Sequence, residues 1–456
     1  MMAGEVAETS PRRPRWQMLI GSTAILQQED FRGLWLGRLL SHAGMNAVLY
    51  TLLVLVVRGT GTAASVKSAL FITAYILPTA ALGTVSGVLV DRLPKHLVLC
   101  VMNIGRLGLM LILLVSDTGL WTIYGVALLL AITTQFASPA EAAAVPQLVR
   151  SDQFTTANSV NNLGGLVAQV VGFAVLPPLF LNTVGARPLF FIAAVLFGAA
   201  AAVFLGIRGL GGREVDLDQS IDAVREVRKQ FAQAWEVLSR DFRAYMSVII
   251  VVLASTTALV ATALMPRFAE EVLDIPVRNA VFVFLPAGIG VLAGLRLVQW
   301  LERRVEKGWL VGAGFGLLAA SFICLALTTT FASMLEGVNP FGVFDPGPFG
   351  ETSARIVVTV GISTVAAFSF SVVGVASRSL VNERMPLDIQ GRIFAAQVVL
   401  TNLASIPPIL LAGLLSALFG VGPVLFLFVI VIVGVAGWTA ARAAARPALR
   451  LDVDEY

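Results

Sequence analysis

"EDFRGLWLGRLL", residues 29–40, puts Asp30, Phe31 and Arg32 directly in front of a long apolar run. At "RDFRAYMSVIIV", residues 240–251, the same three letters recur as Asp241, Phe242 and Arg243, 211 residues later, and another long apolar run follows. A duplicated chain keeps its period, so the same offset should recover other features. It does so at the end of the second apolar run of each half. There "DRLPKH" (91–96) falls on "ERRVEK" (302–307), and an acid followed by arginine is common to both. Further along the offset grows to 240, carrying Pro146 of "VPQLVRSD" onto Pro386 of "MPLDIQGR". The long connection "LEGVNPFGVFDPGPFGET" (335–352), set against "SDTG" (116–119), supplies the extra length. The chain reads as two halves of the same orientation, related by an axis along the membrane normal.

Composition makes it a membrane protein. Hydrophobic residues are 57% and charged residues 13% of the 456, against roughly 25% charged in soluble domains. A hydrocarbon core of about 30 Å needs roughly 20 helical residues. Runs of that kind are expected near 33–58, 66–90, 97–117, 119–145, 157–181, 188–207, 244–266, 279–301, 309–334, 356–377, 393–419 and 423–441, twelve in all. The units that follow are a tail (1–30), a six-helix bundle (31–207), a linker (208–243), a second six-helix bundle (244–441) and a C-terminal tail (442–456). Of 32 Lys and Arg, 24 fall on the side that holds both termini, six on the other side, and two, Arg106 and Arg296, within spans. Positive charge is retained in the cytoplasm, so both termini are expected there.

The net charge of +4 then reports topology rather than affinity for nucleic acid. Cys100 and Cys324 fall in spans and read as small apolar fillers. "PRRPRWQMLIGSTAIL" imitates a secretion signal but runs into "QQEDFR" rather than a small-residue cleavage site, which favours a mobile or interfacial tail. In the linker, Leu217, Ile221, Val224, Phe231, Trp235, Leu238 and Phe242 recur at helical spacing among charges, the pattern of an amphipathic surface helix joining the halves.

Four passages carry a family resemblance. "GVLVDRLPKH", Gly87 to His96, is similar to the loop motif of the major facilitator superfamily, in which Gly, three residues, Asp and Arg precede further basic residues. "FASPAEAAAVPQLVRSDQFTTANSV" (136–160), "FRGLWLGRLLSHAG" and "ERMPLDIQGRIFA" resemble the drug:proton antiporter branch that includes macrolide efflux proteins and the enterobactin exporter. The resemblance implies the all-α major facilitator fold and alternating access. It also implies a conformational latch on the cytoplasmic side, formed by Gly87, Asp91, Arg92 and Lys95 with Gly391 and Arg392 at the start of span eleven. By pseudo-symmetry Glu302 and Arg303 would face the start of span five near Asn158. A carboxylate at a helix N-terminus is stabilised by the unpaired N–H groups and the helix dipole. The sequence departs from the family where Asn46 stands in the region of the acid that related exporters place in span one. In span five Gly164, Gly165 and Gly172 remain, but the prolines move to Pro177 and Pro178.

Charges inside spans are costly and so point to function. Arg106 sits roughly 13 Å into span three at 1.5 Å per residue. Arg38, His42 and Asn46, at i, i+4 and i+8, share one face of span one. Glu141 lies toward the end of span four, and Gln135, Asn161, Asn162 and Gln169 offer neutral hydrogen bonds. Histidine titrates near neutrality, which makes His42 the candidate proton carrier, with Glu141 favouring and Arg38 opposing its charged form; the alternative is a neutral histidine hydrogen-bonded between helices. For Arg38, Glu141 and Arg296 the structural alternative is snorkelling to the interface.

No phosphate-cradling GxxxxGK occurs, two histidines and two apolar cysteines make no metal cluster, and no convergent catalytic set appears. The expectation is therefore a non-enzymatic, cofactor-free secondary transporter of the inner membrane. It would be a monomer among lipids, with a small-molecule substrate and protons as coupling ion. Because the spans hold little charge for a very polar solute, export of hydrophobic or amphipathic compounds is expected. The alternatives are an uptake or lipid-like permease of the same fold, or a non-transporting receptor or scaffold.

Overall fold

Among the described residues, twelve helices are long and apolar enough to cross a membrane. The computed structural model of the protein describes residues 25–58, 61–116, 119–207, 210, 233–336 and 350–444, and among these there is no strand. In lipid no water is available to an open backbone, so each apolar segment closes its own hydrogen bonds as a helix. In order the spans are Glu29–Val57, Ala64–Arg92, Lys95–Val115, Leu120–Leu148, Ser151–Thr183, Ala186–Leu205, Phe242–Glu271, Val277–Leu301, Lys307–Ala326, Gly350–Arg384, Leu387–Phe419 and Val421–Ala444. The N-terminal tail, most of the linker with Leu217 to Phe231, the long connection after Glu336 and the C-terminal tail lie outside the described residues. The last stretch of the linker, 233–240, is helical, and its Ala234 and Leu238 pack with Ala244, Val248, Val381 and Met385.

The repeat seen in the letters is present in the packing. Span one pairs with five and six as seven pairs with eleven and twelve, two with four as eight with ten, and three with six as nine with twelve. Between the halves, span two packs on eleven, and the middle of span five meets the start of eight. These are equivalent positions under the pseudo-twofold.

Proline breaks the regularity where it withholds an N–H. Pro177 and Pro178 leave the carbonyls four residues earlier without their usual donors, and Val170–Val175 runs as a π-helix. Pro286 divides span eight into Ala280–Phe284 and Ala287–Leu301. The apolar pattern predicts span nine as one helix reaching 334. Instead the chain turns at Leu327 and resumes as Thr328–Glu336, with the buried Thr328 hydroxyl donating to the Leu325 carbonyl.

With lipid as apolar as leucine, close approach and polar contacts hold such helices together. A Cβ at Gly172 would stand 2.6 Å from the Ala43 carbonyl oxygen of span one, and one at Gly413 would stand 2.6 Å from the Ala69 Cβ of span two. Only glycine permits those two approaches.

The bundle has a linker face, where span one begins and the linker joins the halves, and a far face opposite. One apolar core bridges both halves toward the far face, through Leu52, Phe71, Phe190, Val260, Phe268 and Ile409 among others. At the linker face the cores are separate, one built on Phe31, Leu99 and Phe204 and the other on Ala244, Val381 and Met385. Hydrogen bonds that join the halves also lie at the far face. Tyr50 donates to the Val277 carbonyl at 2.9 Å and accepts from the Val281 N–H at 3.1 Å. Ser65 donates to the Gly413 carbonyl at 3.1 Å, and Asn182 to Asn279 at 3.0 Å. Arg267 pairs with Glu271 at 2.7 Å and donates to the carbonyls of Ser416 and, across the halves, Thr62. Among the described residues, the molecule is sealed at the far face and parted at the linker face.

Candidate functional site

The face of span one that carries Arg38, His42 and Asn46 turns toward spans four and five. Span four brings Glu141 to it, two residues after Pro139, whose missing N–H loosens the turn that carries the carboxylate. Glu141 Oε2 lies 3.0 Å from Arg38 Nε and 3.0 Å from His42 Nε2, and Oε1 lies 3.3 Å from the same imidazole nitrogen. The Glu141 side chain is 7% exposed, Arg38 27% and His42 47%. A buried carboxylate away from water is tolerable when paired, and here two basic groups share it. The more exposed of them, His42, gives the cluster an edge in the parted side of the molecule.

Arg106 lies one layer behind this cluster, only 3% exposed. Its guanidinium donates to three hydroxyls: Nε to Thr133 at 2.9 Å, Nη1 to Ser41 at 2.6 Å and Nη2 to Thr134 at 3.2 Å. Ser41 in turn donates to Asn103 Oδ1 at 2.7 Å, and the Arg106 guanidinium carbon stands 5.9 Å from the Phe197 ring centre. Spans one, three, four and six meet at this one cation. Sequence reasoning missed Ser41, Asn103, Thr133 and Thr134. Single hydroxyls on apolar helices carry little signal, because they can bond back to their own backbone, as both threonines do to Leu130.

The other candidates are dispersed. Gln135 donates to Thr79 at 2.6 Å, and Asn46 reaches the Ala168 carbonyl at 3.5 Å. Asn161 is buried, with neither side-chain polar atom paired among the described residues. Asn162 and Gln169 are exposed.

Nor are the latch residues of the two halves gathered in this state. Asp91 is exposed, and a Cβ built on Gly391 or Gly87 would meet nothing within 4 Å. Lys95 is buried and donates to the carbonyls of Val90, Asp91 and Leu93, which closes the C-terminal end of span two. His96 Nδ1 donates to the Leu210 carbonyl at 2.8 Å. Arg92 and Arg392 are half-buried, Arg303 is exposed, and Glu302 Oε1 is buried without a partner among the described residues. In the C-terminal half, Asp241 accepts from the Ala244 N–H at 2.9 Å and pairs with Arg384 at 2.7 Å, Lys307 pairs with Glu383 at 2.6 Å, and Arg243 pairs with Glu306.

Comparison with known proteins agrees with this architecture. The sequence model of the Major Facilitator Superfamily matches residues 34–408. No curated protein matches the chain. Among solved structures it is similar to a bacterial homologue of the human lysosomal transporter Spinster, in an inward-facing and unoccupied conformation. The TM-score is 0.66 at 11% identity, over 95% of this chain and 98% of that one. A POT family transporter in complex with 5-aminolevulinic acid gives 0.63 at 11% identity, covering 92% and 96%. A mutant form of the nucleoside transporter NupG gives 0.56 at 14% identity, covering 93% and 99%. At these identities the likeness is one of fold.

Proposed function

The chain belongs to the Major Facilitator Superfamily, and from that premise we propose that it is a proton-coupled secondary transporter that exports hydrophobic or amphipathic small molecules, as the drug:proton antiporter branch does. The observation that carries the reading is the cluster of Arg38, His42 and Glu141, joined at 3.0 Å on the wall of the parted side. The charge bias of the connections makes the linker face cytoplasmic, in the inner membrane, so this state opens inward.

Each residue then has a task. Glu141 is shared by two bases, and removing either would weaken the pairing that makes its burial tolerable. His42, the water-facing member, exchanges a proton with the cleft. With His42 neutral, Arg38 balances the carboxylate and the cluster carries no net charge; protonation of His42 gives it one net positive charge. Arg106 holds spans one, three and four in register through the three hydroxyls, so that the cluster keeps its geometry while the halves move. When the linker face closes, Asp91 meets the amide end of span eleven near Gly391, and Glu302 the start of span five near Asn158. Both carboxylates gain the helix-end field.

The test is flux in proteoliposomes with and without an imposed proton gradient. Gradient-dependent accumulation of an amphipathic dye by wild type, lost in Glu141→Gln, is expected. Accumulation indifferent to the gradient would overturn proton coupling, and absence of any movement across a broad dye panel would overturn transport.

A further inference from the structure

Arg296 stands in the helix Ala287–Leu301, about 7.5 Å of rise before its end. It is exposed, and among the described residues its guanidinium makes no hydrogen bond or ion pair. Its direction follows from its neighbours. Gly290 and Gly294 close on Thr364, Phe368 and Ser371 of span ten, and Val298 is buried on the same side. With 3.6 residues per turn, Arg296 lies roughly 200° around the helix from the centre of that face. At the far end of the span, the side turned from span ten meets the other half. There Val281 packs with Tyr50 and Ala174, and its N–H is bonded to Tyr50. The halves part toward the linker face, and the same direction carried past Pro286 would set Arg296 toward the N-terminal half.

Among the described residues, the charges set inside the spans around that cleft are mostly basic. Arg378 of span ten is exposed, 5.1 Å from the ring centre of Phe394. Across the gap stand Arg38 and His42. Among the described residues Glu141 is the one carboxylate inside a span away from its ends, and it is buried against two bases. Ile289 and Leu292, both exposed, continue the Arg296 stripe deeper into the bundle. A cation with apolar surface beside it matches a ligand with one acidic group and an apolar body. An unpaired arginine at membrane depth is costly, and an anion laid against it removes that cost through charge-assisted hydrogen bonds.

We propose that the cleft selects amphipathic anions, compounds with a single sulfonate, carboxylate or phosphate, and that Arg296 of the C-terminal half holds the acidic group. This takes its setting from the transporter reading above and adds the charge of the substrate.

Two fluorescent probes that differ by one sulfonate decide it: anilinonaphthalenesulfonate and phenylnaphthylamine, titrated against the full-length protein in phosphatidylcholine nanodiscs with empty discs subtracted. Wild type should bind the sulfonate about tenfold more tightly than the neutral amine. Arg296→Gln should lose that factor for the sulfonate and leave the amine unchanged, while Arg296→Lys should keep most of it. Equal affinities in wild type overturn the proposal without recourse to any variant. So does a glutamine variant that weakens both probes alike, or one that changes neither, as expected of an arginine serving only lipid headgroups. Flux is a separate readout. Intact selective binding with no movement of the sulfonate in proteoliposomes would strike the transporter reading and leave this one standing.

Discussion

His42 Nε2 and Glu141 Oε2 stand 3.0 Å apart, yet the histidine side chain is 47% exposed and the glutamate 7%. A proton entering the cluster from the parted side therefore meets the imidazole first. That asymmetry sets the first prediction. His42→Gln should abolish gradient-driven accumulation and leave downhill exchange of substrate intact. Accumulation that persists in this variant at wild-type rate would move the coupling group to Glu141 or Asp91.

Arg106 and His42 differ in access rather than in charge alone. In a background where Cys100 and Cys324 are replaced by serine, the His42→Cys variant should react readily with a water-soluble thiol reagent. The Arg106→Cys variant, at a position where the arginine is 3% exposed, should react at least about tenfold more slowly. Comparable labelling rates would mean that spans three and four separate from span one during the cycle. Arg106→Gln should lower the melting temperature of the purified protein, because the shorter amide cannot make all three guanidinium hydrogen bonds at this junction.

At the linker face, Asp91→Asn keeps the size of the side chain and removes its charge. Transport should fall strongly while membrane expression stays near wild type, since Asp91 is exposed in the parted state and contributes only when the face closes. Equal flux at equal expression would remove Asp91 from the latch.

Tyr50 is the corresponding probe of the far face. Tyr50→Phe loses one donated and one accepted bond to the other half. Together these are worth roughly 1–3 kcal/mol, or about 5- to 150-fold in the ratio of the two states. Spin labels at Ser159 and Gln299, exposed on opposite halves, should then report a shift toward shorter distances as the linker face closes more often. An unchanged distance distribution would show that the seal rests on apolar packing and the remaining bonds.

Asp30-Phe31-Arg32 and Asp241-Phe242-Arg243 were legible as a repeat, and each does open the first span of a half. Their present tasks were not legible. Phe31 is 0% exposed in the N-terminal core, whereas Phe242 is 43% exposed and Asp241 both caps span seven and pairs with Arg384. The helices themselves could be read in advance because a backbone in lipid must satisfy its hydrogen bonds within the segment, and an apolar run of about 20 residues is enough to require it. Spacing alone also put Arg38, His42 and Asn46 on one face, since a helix fixes i, i+4 and i+8 without reference to any neighbour.

Glu141 could be read as a costly charge inside a span, but its position between Arg38 and His42 depends on how span four crosses span one, 99 residues away in the chain. Likewise Arg106 and Arg296 look alike in the sequence, each an arginine within an apolar run. One is folded into a nest of hydroxyls and the other is left exposed. The spans, the twofold repeat and the sharing of a helix face were settled by the order of residues alone, because they follow from hydrogen bonds and periodicity inside one segment. Which charges meet, which are buried and which face is sealed were settled only by the folded arrangement. These depend on contacts between helices distant in the chain, in a medium where packing and a few polar bonds, rather than apolar burial, choose between arrangements.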